Sequence, residues 1–191
     1  MGAPATLALP AWSTRLMNEL DENDRRVRAL AGPLTAEQLN WQSAEGTWSI
    51  GQCLDHLCAT NDVYLPAIAA ALEGRPVAPV EEIKFGWFAR WFIRSFIEPS
   101  NETKRARAPK KIVPGSRIEP SVLERLLSGN QNVREAIRRA GAYDVNRIRF
   151  RNPFIPVLRF TVGTGLQIIS AHQRRHLLQA ERVKGSANFP D

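Results

Sequence analysis

The chain has no run of eighteen apolar residues, so no transmembrane helix is expected. Its opening, MGAPATLALPAW, lacks a basic leading region and a sustained apolar stretch, and no secretory signal is expected there. Met1-Gly2 with Thr6 fits only the loose myristoylation pattern, with Pro4 inside it. Two cysteines occur, Cys53 and Cys58, five apart on what reads as one helix. They point to different sides of it, so a disulfide between them would be strained. Nothing calls for an oxidising compartment, and a cytoplasmic protein is expected. No repeat of fixed period is found. The basic stretches carry no recognised DNA- or RNA-binding motif, so no nucleic acid partner is expected. Histidine is nearly as scarce as cysteine: three in 191 residues, His56, His172 and His176.

What is there is ordinary for one globular domain spanning 1–191: 43% hydrophobic residues and enough length for a core. The net charge of +7 permits anionic partners, whether nucleic acid, lipid head groups or an acidic substrate, without selecting among them. Four stretches have helical periodicity. The first, Ala11 to Leu30, carries Trp12, Leu16, Leu20, Val27 and Leu30 on one stripe, with Asn23 interrupting and Gly32-Pro33 as the stop. The second begins at Ser49, which has capping-box spacing to Gln52, and ends before Gly74. The third starts near Pro120 and stops at Gly141. The fourth runs from about Val162 to Val183, with Thr161 or Thr164 as cap and Gly185 as stop. Four amphipathic helices, each needing a partner face, imply an all-α four-helix bundle. RIRFRNPFIPVLRF alternates briefly, but Pro153 and Pro156 argue for an extended connection there.

A long crossover, about 75–119, joins helices two and three. It contains KFGWFARWFIRSFIE, with Phe88, Trp91, Phe92, Phe96 and Ile97 on one side of a short helix, then the basic stretch KRARAPKKIVPG. The expectation is a helix buried against the bundle followed by a surface strap. A lid, a membrane-surface helix and a homodimer interface are the alternatives.

His172 and His176 are four apart, so their rings are neighbours on one helix face and can converge on one cation. The helical wheel groups them with Gly165, Ile168, Ile169, Ala180 and Val183, an inward-looking face on which Gly165 leaves room. His56 falls on the flank of helix two with Cys53, Thr60, Val63 and Ala67. If helix four packs on that flank, three imidazoles meet and leave a coordination position open, the pattern of a catalytic site. Otherwise each histidine is a hydrogen-bonded, half-buried polar residue.

TWSIGQCLDHL, residues 47–57, resembles the W-S-[IVL]-x-[EQ]-x-[LIV]-x-H-[LI] segment of the DinB-like superfamily. AHQRRHLLQAERV, residues 171–183, resembles its H-x-x-R-H-x-x-Q motif, and APKKIVP its segment before helix three. The resemblance implies an up-down-down-up bundle whose three-histidine metal site carries over to His56, His172 and His176. It further implies either hydrolysis or a transfer or isomerisation that uses a low-molecular-weight thiol, acting on a small-molecule substrate. Zinc is the default for imidazole ligands, with nickel, iron, manganese and cobalt open. Pocket-lining candidates are Cys53, as a soft ligand, reactive thiol or plain buried residue, Thr60, and Arg175, which sits beside the histidine face. Trp48 is either a pocket wall or a packing residue. Asn61 lies in the core stripe and needs a partner. Asp55 adjoins His56 in sequence but points elsewhere. The other function classes are a non-catalytic metal or small-ligand binder and a membrane-surface or partner-binding module built on the aromatic-basic insertion.

Overall fold

The structure, a computed structural model, describes residues 9–98 and 108–191. Its frame is four long helices: α1 (Ala11–Ala31), α3 (Ile50–Leu72), α5 (Val122–Ala140) and α6 (Val162–Lys184). Each expected start and stop signal acts close to where it was read. Ser49 accepts from the Gln52 amide at 3.1 Å while the Gln52 side chain accepts from the Ser49 amide at 3.0 Å, closing the capping box of α3. Thr161 caps α6 by accepting from the Thr164 amide. Gly74, at φ +65°, reverses the chain after α3 at a backbone angle that glycine tolerates. A short α2 (Ala36–Asn40) was not anticipated, although Thr35 and Gln38 form a second complete capping box.

Side-chain pairs fix the helix directions. Arg15 meets Gln167 and Arg26 meets Glu181, so α1 and α6 run parallel. Asp24 meets Asn130 and Asp21 meets Arg134, so α5 opposes α1. Asn61 meets Asn130 and Asp55 meets Arg125, so α3 runs with α5. The order is up-down-down-up. Helices α1 and α3 each pack on both α5 and α6. Two apolar clusters fill the interior, one around Leu16, Leu20, Ile68 and Ile169, the other around Leu54, Leu57, Leu126 and Leu177.

This order explains the long crossover. Two successive helices that run the same way must be joined by a segment that returns along the whole bundle, about 30 Å for helices of some twenty residues. The return contains α4 (Trp87–Phe92), a π-helical turn (Ile93–Ile97) and a 3₁₀ turn (Lys110–Ile112). The first part of the basic stretch, residues 104–107, lies outside the described residues, as does the Met1-Gly2 pattern.

Three expectations need correction. The aromatic helix is only partly buried: Phe88, Phe92 and Ile97 pack against the core, but Trp91 is 50% and Phe96 40% exposed. For Phe96 the cause is the wide turn closed by Glu98 N–H to the Ile93 carbonyl, which breaks the 3.6-residue period, while Trp91 stands before that turn, in the regular helix. Next, the alternating stretch before α6 is not merely extended. It forms an antiparallel hairpin of β1 (Arg149–Arg151) and β2 (Arg159–Thr161), with both prolines in the loop between the strands. Lastly, the room beside Gly165 is filled by the ring of Phe150 from that hairpin.

Candidate metal centre

His56 comes from the second turn of α3, while His172 and His176 come from successive turns of α6. Because α3 and α6 are antiparallel neighbours, the flank holding His56 faces the i, i+4 pair. The Nε2 atoms of His56 and His172 are 3.2 Å apart, and those of His176 and His172 are 3.1 Å apart. One potential ligand atom from each of the three residues lies within 4.8 Å of the others. Among the described residues no cysteine or carboxylate joins this group.

The outer nitrogens fix the tautomers. His56 Nδ1 is 2.7 Å from the Ile112 carbonyl, and His176 Nδ1 is 3.0 Å from Gln179 Oε1. Each of these oxygens only accepts, so Nδ1 carries the hydrogen and Nε2 is left with a bare lone pair. Both lone pairs face His172 Nε2, whose single hydrogen can satisfy only one of them. A cation at the centre satisfies all three. Ligands of a four-coordinate ion at 2.0–2.1 Å stand about 3.3 Å apart, close to the separations found. The donor set therefore fits a divalent metal of the imidazole-binding type.

Burial also holds the rings neutral. His176 is pushed down to about 3, chiefly by burial, with the charges of His56 and Arg175 adding to it. His172 is driven well below its usual value by burial, then by the neighbouring His176, His56 and Arg175. His56 is lowered by burial, partly offset by the Ile112 carbonyl. A neutral imidazole is the ligating form.

The surroundings sort the other candidates. Trp48 stacks on His176 at 5.6 Å and leans on His56 at 4.8 Å, so it forms an apolar wall of the site. Arg175 is half-buried and donates to the Phe96 carbonyl at 2.6 Å, joining α6 to the π-helical turn. Burial lowers its own pKa, and its charge acts on all three histidines. Thr60 donates to the His56 carbonyl at 2.8 Å and steadies the helix behind that histidine. Cys53 is fully buried in an apolar cluster, which raises its thiol to about 12, so it carries no thiolate. Asp55 pins the crossover instead, accepting from the Gly115 amide and pairing with Arg125. Asn61 finds its partner in Asn130.

Sequence reasoning gave no role to the two groups that orient the histidines. Gln179 is the glutamine that closes the H-x-x-R-H-x-x-Q segment, three residues past His176. The Ile112 carbonyl had no signal in the sequence, because a backbone acceptor has no residue type.

Residues 19–180 match the family model of the DinB superfamily. The chain belongs to the DinB superfamily. Among solved structures it is similar in fold to YfiT from Bacillus subtilis, with a TM-score of 0.62 and 14% identity over 99% of this chain and 95% of that one. YfiT is described as "a probable metal-dependent hydrolase with an unusual four-helix bundle topology". No curated protein matches the chain. Within the DinB frame the three histidines lie on facing sides of two long helices, α3 and α6. Their positions are thus set by rigid backbone.

Proposed function

We propose that this DinB-superfamily chain is a metal-dependent enzyme, a hydrolase, that holds one divalent ion on His56, His172 and His176. The observation that carries this is the pair of Nε2 lone pairs from His56 and His176 directed at His172 Nε2 within 3.2 Å, an arrangement that lacks one proton or one cation. Zinc is the first assignment for three imidazoles, with nickel, iron, manganese and cobalt as the other metals such a set accepts. When bound, the ion supplies Lewis acidity, activating a nucleophile at neutral pH and polarising a substrate.

The chain's own residues do the rest. Ile112 and Gln179 hold the His56 and His176 rings in register and raise their basicity as ligands. Trp48 shields one side from water. Arg175 places a fixed positive charge beside the site, which favours a small substrate with an anionic group. That charge also supports a second reading, a transferase or isomerase whose cosubstrate is a low-molecular-weight thiol. The chain's buried Cys53 cannot serve as that thiol.

Metal content by mass spectrometry, on protein purified without a histidine tag, tests the site. About one ion per chain is expected, lost in His172→Ala. Full metal content in that variant would overturn the ligand set. Metal-restored hydrolysis of a small ester or amide panel tests the reaction. Turnover that requires added thiol would replace hydrolysis by the second reading.

A further inference from the structure

Two stretches of the chain, 84–97 and 145–161, contain no Asp or Glu but hold three and four basic residues. They adjoin in the fold. The Lys84 amide donates to the Asn146 side chain at 2.7 Å, and the rings of Phe88 and Phe92 lie 6.5 and 5.2 Å from that of Phe160. In the hairpin, Phe150 and Phe160 point into the core, so Arg149, Arg151 and Arg159 point out. Arg151 and Arg159 are direct cross-strand partners. Like charges so placed repel, and none of the three arginines has an ion-pair partner among the described residues. A fold that tolerates this arrangement gains if an anionic surface covers it.

Large apolar groups are exposed in the same two adjoining segments. Trp87, next to Phe88, is 80% exposed, and Val157 and Ile155 in the hairpin loop are 86% and 42% exposed. The loop is held in shape: Asn152 Oδ1 accepts from the Phe154 and Ile155 amides, and its Nδ2 donates to the Tyr64 hydroxyl. The exposed side chains are therefore presented by ordered backbone.

We propose that this surface, the outward arginines of the hairpin with Trp87, Ile155 and Val157 of the two adjoining segments, docks on an anionic phospholipid bilayer. Arginines meet the head groups while the tryptophan and the aliphatic tips enter the interfacial layer. A nucleic acid would match the arginines but gives no apolar phase to Val157 and Ile155. A symmetric second copy would bring the same arginine face against itself.

The test is flotation of the whole chain with phosphatidylcholine vesicles, with and without phosphatidylserine, across a salt series. Binding is expected only with phosphatidylserine and weakens as salt rises. Each arginine contributes about fivefold, so Arg149→Gln/Arg151→Gln/Arg159→Gln lowers affinity about a hundredfold. Trp87→Ser/Val157→Ser weakens binding at every salt concentration while leaving the salt slope unchanged. Both variants melt no lower than wild type and keep its metal content, which separates this surface from the metal centre. Absence of binding, or equal binding to neutral and anionic vesicles, would overturn the proposal. So would duplex DNA or RNA that outcompetes vesicles, or a dimer in sedimentation that the arginine variant dissolves.

Discussion

Gly165→Ala sets helix propensity against core space, and the structure says which wins. Alanine in place of glycine inside a helix is worth about 1 kcal/mol. A Cβ at position 165 would lie 2.6 Å from Cζ and 2.7 Å from Cε1 of Phe150, and 3.4 Å from Cδ1 of Ile68. Carbon atoms rest at about 3.5–4.0 Å, so the ring must retreat by about 1 Å. It has little freedom to do so. Its backbone is paired with Phe160 across the hairpin, and its edge meets the Tyr64 ring at 5.8 Å. Tyr64 is itself tied to Asn152, whose amide closes the hairpin onto the Leu158 carbonyl. Overpacking of this kind costs about 1–3 kcal/mol, so the net change is a loss of up to about 2 kcal/mol. For a chain of this length a loss of about 2 kcal/mol lowers the melting temperature by about 4–8 °C. Phe150→Leu removes the two clashing atoms, so Gly165→Ala/Phe150→Leu should be more stable than the sum of the single changes predicts, by about 1 kcal/mol or more. Urea unfolding of the four proteins measures this. A Gly165→Ala variant more stable than wild type, or strict additivity, would refute the reasoning.

Zinc at about a hundred times its dissociation constant should stabilise the protein by about 2.7 kcal/mol, read as a rise in melting temperature of about 5–10 °C. The same rise in His56→Ala would count against the three-histidine site. Gln179→Ala, which frees the His176 ring, should weaken metal binding by about tenfold or more in a competition titration; unchanged affinity would remove Gln179 from the site. In the metal-free protein the folded histidines titrate below their ordinary value, so the unfolded chain takes up protons first. Stability is then complete above about pH 6.5 and falls with pH by about 1.4 kcal/mol per unit for each histidine, continuing to about 3 for His176. A flat unfolding profile between pH 6.5 and 5 would refute this. Asp24→Ala leaves Asn130 and the mostly buried Arg134 without their shared acceptor and should cost about 3 kcal/mol, whereas exposed Asp21→Ala should cost under about 1 kcal/mol. Equal losses in thermal unfolding would show that burial does not separate the two carboxylates.

The long helices were legible because their signals are local. Ser49 with Gln52, Thr161, Gly74 and Gly141 each act within one turn of chain, and the stripes through Leu16, Ile68, Leu126 and Ile169 report burial directly. The i, i+4 spacing of His172 and His176 is equally local, but the approach of His56 is not. It depends on α3 lying antiparallel to α6, for which the sequence offered only the DinB-like resemblance. The exposure of Phe96 has a definite cause. The periodicity argument assumes 3.6 residues per turn, and the turn closed by Glu98 onto Ile93 violates it. The hairpin was set aside because proline cannot donate within a ladder, yet Pro153 and Pro156 sit in its loop, where no ladder bond is required.

The topology and the site are connected by the crossover. Because α3 and α5 run the same way, the chain must travel back along the bundle, and it does so past the histidines. There its Ile112 carbonyl takes the Nδ1 hydrogen of His56 and turns that residue's Nε2 toward the other two. Three further contacts hold the crossover in this place. Gln52 Nε2 donates to the Gly115 carbonyl, Asp55 accepts from the Gly115 amide, and Asn40 closes on both backbone groups of Ile118. Gln52 also completes the helix cap at Ser49, two turns before His56. The residues that start α3, aim its histidine and anchor the return segment are therefore one connected set. That connection gives a physical reason for His56 to sit so close to a helix start: the cap fixes the backbone, and the strap it anchors fixes the ring.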